Sequence, residues 1–295
     1  MVCAHIPLIA RPEWYDLYPE AEVPWPPLFA AAERPRHPFI EAMRKVYTYD
    51  DTFDEARVRR AIAADFGLVS FMDANVGRLL RVLEETGLTD TTRVIYTSDH
   101  GDNLGGRSFW VKSTLYEPSA GIPLIINGPG VPRGFVSREP VSLVDAYQTI
   151  LDCVGITPGA GEAGLPGTSC FDVMRGQRPR NPAFSEYHTT GAITASFMLR
   201  KGRFKYMHYV GMPPQLFDLD ADPGEVHDLA TEAGFAGLVA QCEAELRAIL
   251  NPEAVDRTAR ADQAKKIEHF GGREAILVKG ANSYSAVPGA EAVYS

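Results

Sequence analysis

Asp99 and His100 stand together where the β-branched run Arg93-Val94-Ile95-Tyr96 gives way to Thr97-Ser98. A carboxylate and an imidazole side by side at the mouth of a predicted strand form a clamp for a hard divalent ion. Carboxylate oxygen with neutral imidazole nitrogen suits Ca²⁺, Mg²⁺ or Mn²⁺. Lys112 follows in Phe109-Trp110-Val111-Lys112. An ammonium group there can stabilise negative charge gathering on a departing oxygen. Together the three side chains suit an anionic substrate held on a cation. Each also has a plainer reading: Asp99 as a local cap, His100 as a solvated ring, and Lys112 as a surface cation with its stem on an aromatic.

Two further histidines are candidates. His5, in His5-Ile6-Pro7, is placed where a strand would leave the core and could pass a proton or hydrogen bond to a substrate. His188, in Ser185-Glu186-Tyr187-His188, could reach a pocket from a C-terminal subdomain, or only end a strand. His208 and His227 read as surface or packing residues, and Asp73 as a residue on the polar side of a helix.

The elements that must position these groups follow from periodicity. Residues 11–57, rich in proline and aromatics, read as a long irregular connection that packs its aromatics against a pocket. Ile62, Phe66, Val69, Met72, Val76, Leu79, Leu80 and Leu83 recur at helical spacing, so a helix is expected over 58–85, stopped by Gly87. Strands are expected over 92–97 and 122–126, then a helix from a Ser142 cap to Val154, ended by Gly155. Residues 157–182 are rich in glycine and proline and mark a boundary. Short strands over 193–199, 203–209 and 215–219, the turn Asp220-Ala221-Asp222-Pro223-Gly224 and a helix to about 250 then describe a small α+β subdomain. The stretch after Pro252 is weakly patterned. This divides the chain into a large α/β portion over 1–180, the subdomain over 181–252 and a tail over 253–295.

Bulk properties narrow the partners. A net charge of −9 without a basic run argues against nucleic acid and anionic membrane. No apolar run approaches the roughly 18 residues of a membrane span, and the opening segment makes a poor signal peptide. Cys3, Cys153, Cys170 and Cys242 show no CxxC spacing, so reduced thiols and a cytoplasmic location are expected. The expected partner is a small anionic ester, and a homo-oligomer is left open.

Several motifs, in order, carry a family resemblance. Ser98-Asp99-His100-Gly101-Asp102-Asn103-Leu104-Gly105, then Trp110-Val111-Lys112 and Glu117-Pro118-Ser119-Ala120-Gly121-Ile122-Pro123-Leu124-Ile125, resemble the second half of a bacterial sulfatase of the alkaline phosphatase superfamily. The likeness is strongest to choline-sulfatase-like and phosphonate monoester hydrolase-like members. His5-Ile6-Pro7-Leu8, the helix around Phe66–Leu80 and Gln215-Leu216-Phe217-Asp218 through Glu225 extend it to about residue 250. The resemblance implies an alkaline-phosphatase-like α/β sandwich, a central mixed sheet flanked by helices, with a small C-terminal α+β subdomain. It implies that Asp99 and His100 bind a divalent cation, Ca²⁺ in a sulfatase or Mn²⁺ in a phosphonate hydrolase. It also implies that Lys112 binds the sulfate or phosphate group and that His5 serves the leaving-group side.

The family's nucleophile is a Cys or Ser in Cys-x-Pro/Ala-x-Arg, with the cysteine converted to formylglycine. None of the four cysteines fits that motif. The resemblance thus implies a sulfatase large domain truncated at its N-terminal side. The isolated chain is expected to turn over little or no sulfate ester and to have low stability.

Overall fold

The computed structural model describes residues 4–159, 161–162, 164–177 and 182–279. In chain order the helices are α1 (Pro12–Tyr15), α2 (Pro38–Val46), α3 (Tyr49–Thr52), α4 (Glu55–Glu85), α5 (Glu117–Ala120), α6 (Asp145–Val154), α7 (Cys170–Met174), α8 (Ala236–Ile249), α9 (Pro252–His269) and α10 (Arg273–Lys279). The strands are β1 (Val94–Thr97), β2 (Leu124–Asn127), β3 (Ala183–Tyr187), β4 (Ser196–Lys201), β5 (Phe204–Tyr209) and β6 (Met212–Asp218). This is the expected mixed α/β protein, its strands lying in antiparallel sheets flanked by helices. Two compact units share the chain: 1–82 with 102–112 and 253–295, and 83–101 with 113–252.

The first unit is built around α4. Asp54 Oδ1 accepts the Arg57 backbone N–H at 2.8 Å, which starts the helix three residues before its first apolar position. Val58, Ile62 and Ala63 bury one stripe against Val23 and Trp110, with Tyr15, Tyr18, Phe53 and Phe66 around them. Gly67 lets the chain cross closely, since a Cβ there would lie 3.0 Å from the Trp14 carbonyl oxygen. Beyond that crossing the apolar stripe is less buried, with Met72 and Val76 only half-buried. Val69, Leu79 and Val82 are all exposed, although their spacing is as helical as that of the buried turns.

The structure adds detail to the readings for this unit. Residues 11–57 are mostly irregular, as expected, but also contain the short helices α1, α2 and α3. Helix α2 opens with Pro38 in its first turn, and His37 Nδ1 accepts the Phe39 N–H at 3.3 Å. Proline content had masked a helix start as a loop. Residues 4–10 form no strand, so His5 does not leave one; residues 1–3 of that expected strand lie outside the described residues. The stretch after Pro252 is helical through α9 and α10. It is dense in Ala, Glu, Arg, Gln and Lys, so intrinsic helix propensity forms it without an apolar stripe. The part of the expected tail over 280–295 lies outside the described residues.

The second unit holds both sheets. Strands β1 and β2 form a two-stranded ribbon with Val94 opposite Asn127 and Thr97 opposite Leu124. Strands β3-β4-β5-β6 form a four-stranded meander. β3 is an addition to the three strands read from the pattern. Those three also begin or end a few residues away from the expected bounds. One face of the meander carries Phe197, Leu199, Tyr206 and His208 toward α8. There Glu243 accepts the Tyr206 hydroxyl at 2.6 Å and pairs with His208 Nδ1 at 2.9 Å. The opposite face carries Lys205, Met207, Tyr209 and Gln215. Tyr209 OH donates to Gln215 Oε1 at 2.9 Å.

Helix α6 starts later than expected, and Ser142 is not its cap. The buried Asp145 carboxylate instead accepts the N–H groups of Ser142 and Thr168, both at 2.8 Å. Gly155, at φ +70°, ends the helix as expected. The 157–182 boundary segment also contains the short helix α7.

Candidate functional site

β1 ends at Thr97, and Asp99 and His100 lie in the turn that follows. Ser98 Oγ donates to the His100 carbonyl at 2.8 Å, which tightens the turn. His100 Nδ1 donates to the Gly101 carbonyl, also at 2.8 Å. That bond leaves Nε2 as the ring's lone-pair nitrogen. Nε2 lies 3.7 Å from Asp99 Oδ2, and the Asp99 side chain is 85% exposed. Two ligand atoms each about 2.4 Å from one cation, at right angles, lie about 3.4 Å apart. The pair therefore fits two places on a divalent ion. Among the described residues no third His, Cys, Asp or Glu completes a cluster with them.

Gly101 secures this turn. Its N–H donates to the Ser119 carbonyl at 2.9 Å. A Cβ at this position would meet the Pro118 carbonyl oxygen at 2.2 Å. Only a residue without a side chain can follow His100 in this backbone.

Lys112 lies in the first unit, at the end of a tightly bound loop. Asp102 Oδ1 accepts the N–H groups of Leu104 and Val111, both at 2.8 Å. Asn103 donates its backbone N–H and its Nδ2 to the Val111 carbonyl, at 2.7 and 2.8 Å. Trp110 stacks on Phe53 with ring centroids 4.3 Å apart and fixes the loop to the core. The backbone takes positive φ at Leu104, Arg107, Ser108 and Val111. Non-glycine residues in that region cost roughly 1–3 kcal/mol each and persist where the surroundings over-determine them. The loop hands the chain to Lys112, which is exposed.

Asp65 on α4 adds an electrostatic feature to the same unit. Burial, with the Asp102 charge as a second cause, pushes its carboxyl up to about 6. Sequence reading missed both acids. Asp102 had a local signal, an Asx-type residue two positions before a backbone N–H it could accept. Asp65 had none, because its burial depends on packing.

The other candidates are placed separately. His5, in the first unit, is half-buried, and its Nδ1 donates to the Ile6 carbonyl at 2.8 Å. His188 follows β3 in the second unit, with Nε2 3.9 Å from Glu186 Oε1. Asp73 is exposed on α4. His208 is a packing residue on β5, and His227 donates its backbone N–H to Asp222 Oδ2 at 2.8 Å. Of the candidates in the second unit, Asp99 and His100 are adjacent. Among the described residues, Cys153, Cys170 and Cys242 form no disulfide. Burial pushes Cys242 up to about 11, away from thiolate chemistry.

Comparison with known proteins gives these motifs a family. The sulfatase family profile matches residues 32–156, and the profile described as N-sulphoglucosamine sulphohydrolase, C-terminal, matches 105–251. A choline-sulfatase of Rhizobium meliloti (strain 1021) is 33% identical over 89% of this chain and 52% of its own length. Arylsulfatase K of Danio rerio is 34% identical over 70% of this chain and 40% of its own. The chain thus spans about half the length, or less, of these curated relatives. A phosphonate monoester hydrolase from Silicibacter pomeroyi superposes with a TM-score of 0.69 at 28% identity, over 83% of this chain and 53% of that one. The motif order, the two profiles and the shared alkaline-phosphatase-like fold agree: this chain belongs to the sulfatase family.

Proposed function

We propose that this chain provides the cation- and anion-binding residues of a sulfuric ester hydrolase acting on a small sulfate monoester. The adjacent Asp99 carboxylate and His100 ring carry the reading. Asp99 Oδ2 and His100 Nε2 would hold a divalent cation, Ca²⁺ by family likeness. When bound, that ion would supply positive charge against the ester's anionic oxygens. The Gly101 carbonyl keeps the His100 proton on Nδ1, so the other nitrogen presents its lone pair. Lys112 would counter the charge of the sulfate group. His5 would serve the leaving-group side, and His188 the body of the substrate. The 295 residues hold no Cys-x-Pro/Ala-x-Arg sequence. The formylglycine nucleophile of the family is therefore not among this chain's residues, and little or no turnover is expected from the chain alone.

A second reading, a phosphate or phosphonate monoester hydrolase using Mn²⁺ (or Mg²⁺), is favoured by the superposition on the Silicibacter pomeroyi enzyme. A non-catalytic remnant that acts only with a complementary polypeptide accounts for the missing nucleophile equally well.

Calorimetric titration of the chain with Ca²⁺, Mn²⁺ and Mg²⁺ tests the cation assignment. Saturable binding that Asp99→Asn and His100→Gln each weaken by about tenfold or more supports it. Binding unaffected by both substitutions overturns it. Titration with an aryl sulfate and an aryl phosphonate, with Lys112→Ala as control, separates the two ester readings.

A further inference from the structure

The second unit contains a cavity of about 830 Å³ that the proposed function does not use. Asp99, His100 and His188 are absent from its walls. Its apolar side is formed by Ile95, Ile122, Leu124 and Ile150, from the β1–β2 ribbon, the segment before β2 and α6. Its polar side includes Arg93 and Arg200. The volume and the mainly apolar lining are those of a small-molecule site.

The charge distribution says what would occupy it. Arg200 lies on β4, directly across from Ala183 on β3 and Lys205 on β5. Lys205 is fully buried and takes two acids, Glu117 and Glu225, each at 2.9 Å. Arg200 therefore stands beside a group of one cation and two acids whose carboxylates face Lys205. Among the described residues it makes no ion pair, and its Nη1 is sealed from solvent without a hydrogen-bond partner. Leaving a guanidinium nitrogen so placed is costly. Among the described residues Arg93 has uncharged partners: the Pro129 and Cys153 carbonyls, at 2.7 and 2.6 Å, and the ring face of Phe171. Arg138 and Glu139 also line the cavity and carry opposite charges. Three arginines on the wall, Arg93, Arg138 and Arg200, face two acids, Glu117 and Glu139, so the wall carries one excess positive charge.

We infer that this cavity binds an amphiphilic monoanion, its carboxylate or sulfate head on Arg200 and an apolar body of about ten carbons along Ile95, Leu124 and Ile150. Decanoate, decyl sulfate and decanol are the probes, each titrated calorimetrically into the full chain below its aggregation limit. Decanoate and decyl sulfate bind at one site per chain, and decanol binds at least about tenfold more weakly. Arg200→Gln brings decanoate down to the decanol level, and Arg200→Lys keeps part of the difference. Ala146→Trp, which fills the cavity from α6, abolishes binding of all three. Circular dichroism melts confirm that each variant is folded. Equal affinity for decanoate and decanol, an unchanged decanoate affinity in Arg200→Gln, or no binding by the wild-type chain overturns the assignment. Binding of the carboxylate without the sulfate restricts the head group to carboxylates.

Discussion

At the scale of single residues, the candidate chemistry depends on small backbone details. His100 presents Nε2 because Nδ1 is tied to the next carbonyl, and that carbonyl belongs to the only residue type that fits beneath Pro118. Gly101→Ala forces the Pro118 backbone to move. It is expected to lower stability by about 1–3 kcal/mol and to weaken cation binding, read by a thermal melt and a metal titration on the same sample. Asp65 supplies a pH dependence. Its carboxyl is held near 6 in the folded chain against an ordinary value near 4 when unfolded. Between those values the folded state binds the proton and the unfolded state does not. This residue's contribution is therefore most favourable below about pH 4, and it is lost as pH rises to about 6, by roughly 3 kcal/mol. Asp65→Asn should remove that slope from urea-unfolding free energies measured across pH 4–7. An unchanged slope would show that Asp65 is ionised throughout.

At the scale of elements, two devices hold the local architecture. In the first unit, Asp102 and Trp110 stabilise a loop with four non-glycine residues at positive φ and deliver Lys112 from it. In the second, Lys205 ties the start of α5 to the meander through Glu117 and Glu225, and Glu225 also accepts the Glu117 N–H at 2.7 Å. Removing one partner of such a buried network leaves uncompensated charge. Lys205→Met is expected to cost about 3–5 kcal/mol, measured by denaturant unfolding. A loss under 1 kcal/mol would mean that Glu117 and Glu225 take up protons or reach water. The helices also show where periodicity misleads. α4 keeps its apolar spacing for its full length, yet full burial stops near Gly67. α9 has no apolar stripe and forms nonetheless.

At the scale of the whole molecule, exposed apolar surface is the main feature. Ile125 on β2 is 60% exposed, Val154 on α6 62% and Val136 85%. The two-stranded ribbon adds backbone edges that no described strand pairs with. Such edges recruit other strands. The chain is therefore expected to self-associate with rising concentration in sedimentation velocity, and Ile125→Lys should reduce that association. A strictly monomeric chain at high concentration would contradict this reading of the ribbon. No helix among the described residues is long and apolar enough to cross a membrane.

Much of this protein is determined within short windows of its sequence. The Asp99-His100-Gly101 run, the strand before it, Gly155 as a helix stop, the Asp222 turn and most of the meander depend on local spacing and on residues with special backbone freedom. The motif order sufficed for the family, because those motifs are contiguous. Tertiary structure alone decided which half of α4 is buried and that Asp145 anchors α6 in place of Ser142. It also decided that Asp65 loses its solvent, and that among the described residues Arg200 makes no ion pair while Lys205 makes two. Each of these depends on atoms brought together from distant parts of the chain. Burial and charge pairing are set by such neighbours, which no local pattern encodes.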